Sequence, residues 1–493
     1  MEVVSFSPLP PERTGVAHYV SMLLPALRRH IDLTTASISH TPHPTPHTRL
    51  YHLGNNPHHA WIYEAAMRIP GVIVLHDLVL HHLIVEITLA RGDVDGYVAA
   101  LEANHGEAGA AWARGRAAGL HSEMGNFLLP ASVAVANRSR AVIVHNRYAA
   151  ERLQSFGVTA PIHVVPHPFE PQPSARGRRD AVRAQHRFGE NDRVIGLFGF
   201  LTSAKRAEVV LTAFAKARAR HEKLRLLIVG EPAPNVDVDA LRVDGITFTG
   251  YVPDEEFAAY FAAVDRLVNL RYPSAGETSG TLIRAFEAGK PVAVSDYAQF
   301  AEFPDDCVVK IPFGDREVET LADFFVGDLT DPAEAQAKWL RDNASMELTV
   351  RGYLGALEDA SRESRPAITR TIPLFPKLDA VLHGDAVVLR NTGDFTVRTR
   401  SYGEPGYRLM MLTFDGDAVI DDRWVELPRD LRPGDTAEVV LPRVRGTLRL
   451  YHAIEGIPMI APEPFAELAL GPRASRPLGA DGGQDARAPR KGA

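Results

Sequence analysis

Twelve short runs of aliphatic and β-branched residues recur along the first two thirds of the chain, and helical stretches separate them. This alternation restricts the fold more than any other feature. The runs are 3–7, 33–38, 49–53, 72–75, 141–144 and 162–165, then 194–198, 224–229, 246–249, 266–270, 292–295 and 308–311. Apolar residues repeat at helical spacing in the segments between them, as in 17–30 and 147–156. Strands without polar alternation are buried on both faces, which calls for parallel sheets covered by crossover helices. Twelve strands are too many for one compact doubly wound sheet. The break falls within 166–192, where Pro and Arg replace the strand formers. The expected fold class is α/β, with two facing Rossmann-like domains, 1–168 and 169–365, and a cleft between them.

Beyond residue 370 the pattern changes. Runs at 380–389, 395–399, 407–414, 437–441 and 447–452 read as strands with no helices between them, and turn signals such as Asp415-Gly416 and Pro433-Gly434 intervene. This predicts an antiparallel β-sandwich over 371–471. The segment 472–493 has almost no apolar content and reads as a disordered tail. Net charge is 54 − 61 = −7, which argues against broad nucleic-acid binding. Cys307 is the only cysteine, so neither a disulfide framework nor a cysteine-rich zinc site is available. The start, MEVVSFSPLPPERTG, lacks a basic, apolar leader, and no apolar stretch is long enough to span a bilayer. A cytoplasmic protein is expected, at most peripheral at the inner face of the membrane.

Residues able to carry chemistry gather at the ends of the strand runs. After 266–270 the chain reads RYPSAGETSGTLIRAFEAGKP, so a loop with Gly276 and Glu277 follows a strand and a helix opens near 278–280. Open α/β sheets bind ligands outside the carboxyl ends of their strands. Free N–H groups at a helix start suit a phosphate or a developing negative charge, and the hydroxyls of Thr278, Ser279 and Thr281 add donors around Gly280. The plain alternative is a helix start capped by Thr278 or Ser279.

The run 72–75 leads into His76-Asp77 and then His81-His82, putting an imidazole and a carboxylate at a strand tip. His76 is expected to touch a sugar or an acceptor while His81 or His82 packs or caps; a buried structural histidine is the competing reading. A metal held by His76, Asp77, His81 and His82 is disfavoured, because adjacent residues on a helix point in different directions. After 194–198 comes GFLTSAKR, whose Lys205 and Arg206 either neutralise a diphosphate or form a solvated surface pair. Near the start, SPLPPERTGVAH breaks a strand into a loop where Gly15 permits close approach of a ligand. It is not a G-x-G-x-x-G fingerprint, so dinucleotide binding is not implied. GNNPHH ends another strand at the same edge, either as a polar turn or facing the cleft. Asn55, Asn56 and Asp77 are the acceptor-side candidates.

Taken in order, YHLGNN, GVIVLHD, RYPSAGETSG and GKPVAVSD resemble the family 4 retaining glycosyltransferases of the GT-B fold, over residues 1 to about 360. The resemblance implies an acceptor domain, then a nucleotide-sugar domain, then a last helix within 333–361 that returns to the first domain. It implies that Gly15 lies in the loop approaching the donor phosphates and that His76 is the histidine near the transferred sugar. Lys205 corresponds to the lysine that binds the diphosphate, and Glu277 to the first glutamate of a pair reaching the donor sugar. Phe200 stands where many members carry an arginine, so Arg206 and Arg271 are further donor-binding candidates. Ala285 stands where the second glutamate would follow, and alignment on Gly289 puts Arg284 there; Glu287 is the candidate for a ribose contact. The β-sandwich lies outside the family core and resembles accessory modules attached to some such enzymes.

The implied reaction is retaining transfer of a sugar from a nucleotide-diphosphate sugar to a glycan, lipid-linked or other acceptor, in cell-surface polysaccharide or glycoconjugate synthesis. Front-face attack, with the leaving phosphate taking the acceptor proton, needs no carboxylate pair at glycosidase spacing. Neither a metal nor another cofactor is required, because cations and a helix start can stabilise the leaving group. Two other readings stand beside it. One is a nucleotide-sugar epimerase or hydrolase. The other is a non-catalytic glycan-binding or assembly protein, to which Phe200 and the missing second glutamate would fit.

Overall fold

The structure is a computed structural model that describes residues 1–12, 14–36, 48–120, 123–171, 176–199, 201–232, 244–362, 375–393, 397, 399, 407–441, 444–454, 459–460 and 463–470. Phe200 and the segment 472–493 lie outside them, as does most of 395–399. The chain divides into two compact units, one built on Met1–Pro376 and one on Lys377–Thr399 with Tyr407–Ile454.

All twelve expected runs are strands, their ends shifted by at most two residues. In the first half these are β1 (Glu2–Phe6), β2 (Asp32–Ala36), β3 (Thr48–Leu53), β4 (Val72–Leu75), β5 (Ala141–Val144) and β6 (Ile162–Val164). They form a six-stranded sheet in the order β2-β1-β3-β4-β5-β6, parallel throughout. In the second half they are β7 (Arg193–Phe198), β8 (Leu224–Val229), β9 (Ile246–Phe248), β10 (Arg266–Asn269), β11 (Val292–Ser295) and β12 (Val309–Ile311). Their order is β12-β11-β10-β7-β8-β9, again parallel. This is the two-domain Rossmann-like α/β fold. In the second sheet the strand order reverses between β7 and β10, and such a switch point opens a crevice beyond the strand ends.

The helices follow local rules. Thr14 accepts from Ala17 N at 3.0 Å to cap the helix Gly15–Leu27, which buries Ala17, Tyr19, Val20, Leu23, Leu24 and Leu27 on one face. Ser279 caps the helix Gly280–Glu287, and Gly289 ends it in the left-handed region at φ +62.

The segment 333–361, expected to contain a helix returning to the first half, holds two helices, and the second makes that return. Ala333–Asn343 packs Leu340 into the second-half core, whereas Met346–Arg362 places Val350, Tyr353, Ala356, Leu357 and Ala360 in the first-half core. The break at Ala344–Ser345 has a tertiary cause: Phe169 N donates to Ala344 O at 2.8 Å, and Phe169 and Ser345 form a bridge. No helix among the described residues is long and apolar enough to cross a membrane.

The second unit holds antiparallel strands: β13 (Leu378–His383), β14 (Ala386–Asn391), β15 (Tyr407–Asp415), β16 (Ala418–Val425), β17 (Thr436–Val440), β18 (Gly446–Ile454), β19 (Met459–Ile460) and β20 (Ala466–Leu470). One sheet is β13-β14-β17; the other is β16-β15-β18-β19 with β20 also on β18. Leu389, Val387, Leu409, Met411, Leu448 and Leu450 share one core between them. The run 380–389, read as one strand, is two, because Gly384 turns the chain at φ +60. Strand β16 went unread because Asp421, Asp422 and Arg423 interrupt its alternation. Strand β20 is built of Ala, Leu and Glu and owes its form to pairing with β18.

Candidate active site

The second-half site is assembled where β7 and β10 end. Gly199 leaves β7 at φ +83, and a Cβ there would stand 2.8 Å from Lys205 Nζ. The missing side chain lets the Lys205 ammonium fold back and donate to Phe198 O. Lys205 is buried, and burial pushes its pKa well down; Arg271 pushes the same way, and Glu277 opposes.

Beyond β10, Arg271 Nε donates to Glu277 Oε1 at 3.1 Å, and Ala275 N donates to Oε2 at 3.0 Å. Gln299 Nε2 donates to the Glu277 carbonyl at 2.7 Å, so the loop is held at both ends of this residue. Burial lowers the Arg271 pKa, with Glu277 acting against it. Lys205, Arg271 and Glu277 therefore form one electrostatically coupled cluster.

Several expected donors have other duties. Arg206 pairs with the buried Glu317, Nε to Oε1 at 2.8 Å, and its guanidinium lies 4.8 Å from the Phe313 ring centroid. It is thereby tied down as a structural cation, against both expectations for it. Ser279 Oγ donates to Asn269 at 3.0 Å and accepts from Leu282 N at 3.3 Å, which makes it a cap, not a ligand donor. The Thr278 hydroxyl is buried with no partner. Thr281 Oγ1 faces the space beside Gly199, and nothing lies near Gly280 on the side a Cβ would take.

Ala285 is fully buried, so the position spaced for a second glutamate faces the core. Arg284 and Glu287 pair with each other at 3.0 Å on the helix edge. At the other sheet, Gly15 is exposed, with open space around its Cβ direction.

The first-half tip is more committed than its sequence implies. His76 gives both ring nitrogens to neighbours: His52 Nδ1 at 3.0 Å from Nε2 and His145 Nε2 at 3.3 Å from Nδ1. Burial first, then the neighbouring imidazoles, hold its pKa well below the usual value, so it is neutral. Both ring nitrogens of His76 are thus engaged by protein partners.

Asn55 donates its N–H to Asp77 Oδ2 at 2.7 Å, its amide meets His82 at 2.7 Å, and its oxygen accepts from Leu83 N at 3.1 Å. Asn56 accepts from His58 N at 3.1 Å. Both brace the local loop. His81 is a structural histidine between Leu129 O and the Tyr97 hydroxyl. Burial, then the Glu277 charge, pushes the Asp77 carboxyl up to about 7. No group of three or more His, Cys, Asp or Glu side chains among the described residues is placed to hold a metal.

The two halves meet on the Glu277 loop. Leu78 N and Val79 N donate to Ala275 O at 2.7 and 3.1 Å, and Asn146 Nδ2 donates to Gly276 O at 3.0 Å. A Cβ on Gly276 would sit 2.6 Å from Leu78 Cβ, and its φ is +75, so glycine is required there. Glu302 accepts from Arg147 N at 3.2 Å and Tyr148 N at 2.5 Å, completing the start of the helix Arg147–Ser155 from the opposite half. A cavity of about 710 Å3 lies between the halves, lined by His145, Asn146, Thr278, Gln299, Trp339 and Arg351 among others. Sequence reasoning missed Asn146, Gln299 and Glu302. Asn146 alone left a signal, an Asn cap directly after a strand.

Residues 192–331, the segment that holds Lys205, Arg271 and Glu277, match the family model described as glycosyl transferases group 1. That segment is therefore a glycosyl transferases group 1 domain. The chain is similar to 2-deoxystreptamine glucosyltransferase of Streptomyces kanamyceticus, 26% identical over 246 residues. That match covers 47% of this chain and 58% of the relative, so the chain spans under two thirds of the relative's length. Among solved structures it is similar to Anabaena HepE in complex with UDP and glucose, with TM-score 0.48, 16% identity, and 73% of this chain and 99% of that one covered. Sucrose-phosphate synthase from Thermosynechococcus elongatus has TM-score 0.48 and 17% identity, covering 73% of this chain and 98% of its own.

Proposed function

We propose that this protein moves a sugar from a nucleotide-diphosphate donor to a glycan or lipid-linked acceptor with retention of configuration. One observation carries the reading: Lys205, Arg271 and Glu277 cluster at the switch point of the second sheet, beside the open start of the helix Gly280–Glu287.

A diphosphate over that helix start would meet free N–H groups and the positive end of the dipole. Its charge would restore the proton that burial weakens on Lys205, giving a cation matched to charge developing on the leaving group. Glu277, already oriented by Arg271 and the Ala275 N–H, would hold the donor sugar. The acceptor would enter from the Asp77 side. Front-face attack, with the departing phosphate taking the acceptor proton, asks for no protein base.

The experiment is a transfer assay across nucleotide sugars, starting with nucleotide-activated glucose because the relative is a glucosyltransferase. Glu277→Gln and Lys205→Ala should each lower kcat/KM by about 10²- to 10³-fold with the thermal unfolding curve unchanged. Near-normal turnover in both would discard the site. An inverted anomer from an α-linked donor would discard retention.

A further inference from the structure

A buried cluster joins the strand tips of the first half to the returning helix. Tyr19 is its hub, with ring centroids 4.7 Å from His76, 5.2 Å from His145 and 4.9 Å from His167, and its hydroxyl is 2.8 Å from that of Tyr353.

The protons of this cluster can be assigned by elimination, because a carbonyl only accepts. His145 Nδ1 faces Val165 O at 2.9 Å, so it carries the hydrogen and His145 Nε2 is bare. His76 Nδ1 must then donate to that bare nitrogen, which leaves His76 Nε2 bare. His52 Nδ1 must donate to His76 Nε2, which leaves His52 Nε2 bare. That last atom is buried with no partner, as suits a lone pair better than an N–H. His59 obeys the same rule, its Nδ1 donating to His52 O at 2.9 Å while its Nε2 is buried without a partner. Four neutral imidazoles thus share one tautomer, and three form a chain running in one direction from His52 to the Val165 carbonyl.

The chain touches the site through the backbone. His145 precedes Asn146, which grips Gly276 O, and His76 precedes Asp77, Leu78 and Val79, the last two of which grip Ala275 O. We propose that His145 and His52 are positioning residues that lock His76 as the Nδ1-protonated tautomer and so hold the β4 and β5 tips against the Glu277 loop. The Nε2-protonated tautomer of His76 would set two N–H groups face to face at His52 and two lone pairs face to face at His145, and the tip would have to move.

The kinetic arm of the test rests on the transferase reading; the spectroscopic arm does not. Long-range nitrogen–proton spectra of histidine-labelled full-length protein, assigned by single variants, report each tautomer directly. Nδ1-protonated patterns for His52, His76 and His145 are expected in the unaltered chain, and an Nε2-protonated His76 overturns the proposal. His145→Phe keeps a ring but removes the acceptor, so it should release His76 into mixed tautomers and lower kcat about 10- to 100-fold with donor KM held. His145→Gln, with an amide able to donate and accept, should recover most of both. His52→Phe provides a second break should the first variant fold poorly. A His76 that stays purely Nδ1-protonated in both Phe variants also overturns the lock. If the unaltered chain shows the predicted tautomers yet transfers no sugar, the lock stands and the transferase reading fails.

Discussion

Asp77 binds its proton more tightly in the folded chain than in the unfolded one, since burial and Glu277 push its carboxyl up to about 7 from the ordinary 3.8. The folded state therefore holds the extra proton between those values, and the stability contributed here falls as pH rises through them. Asp77→Asn keeps an oxygen for the Asn55 N–H and removes the charge. It should stabilise the protein at pH 8 by about 1–2 kcal/mol, a figure discounted for the partial exposure of the carboxyl, and give no gain below pH 4. Equal gains in melting temperature at both values would refute this. Lys205 has the opposite sign: burial lowers its pKa, and a bound diphosphate would raise it again. Donor binding above the free-state pKa should take up a proton, so calorimetry in buffers of differing ionisation enthalpy should give different apparent heats. Buffer-independent heats would show that Lys205 takes up no proton when the donor binds.

At the scale of elements, the helix Met346–Arg362 decides whether the first half is complete. Tyr353 is fully buried within it and hydrogen-bonded to Tyr19, and a Cβ on Gly352 would stand 2.7 Å from Val165. Tyr353→Ala should cost about 3–5 kcal/mol, the range for emptying a large aromatic site, and shift the urea midpoint accordingly. A loss under 1 kcal/mol would mean that the helix docks without it.

The parallel strands were legible because strands buried on both faces leave continuous apolar runs. The break at Ala344–Ser345 was not, because amphipathic periodicity passes through it and its cause is a contact with Phe169. The same contrast holds in the site. Lys205 and Glu277 could be read from their places after strands. The duties of Arg206 and Ser279 depend on Glu317 and Asn269, which no local pattern announces. Glu302 acts on a helix start 155 residues away and left no local trace.

Across the two α/β halves, the Glu277 loop has its shape only where both halves contribute. Three hydrogen bonds from the first half end on Ala275 and Gly276, and the Glu302 carboxylate crosses in the other direction to the helix start at Arg147 and Tyr148. Closure and loop geometry are therefore one event, and Glu302 is the contact that can be removed without touching the Lys205–Arg271–Glu277 cluster. Glu302→Ala leaves two N–H groups at a helix start without their carboxylate, a loss on the order of 1–2 kcal/mol against the closed arrangement. Donor affinity should change little, because the proposed donor contacts lie within 192–331. Turnover should fall about tenfold, because the acceptor side would be misaligned for a larger share of the time. Small-angle scattering should show a larger radius of gyration for the variant in the free state. A variant with unchanged turnover and unchanged radius would mean that the loop bonds to Ala275 and Gly276 hold the halves together without the carboxylate.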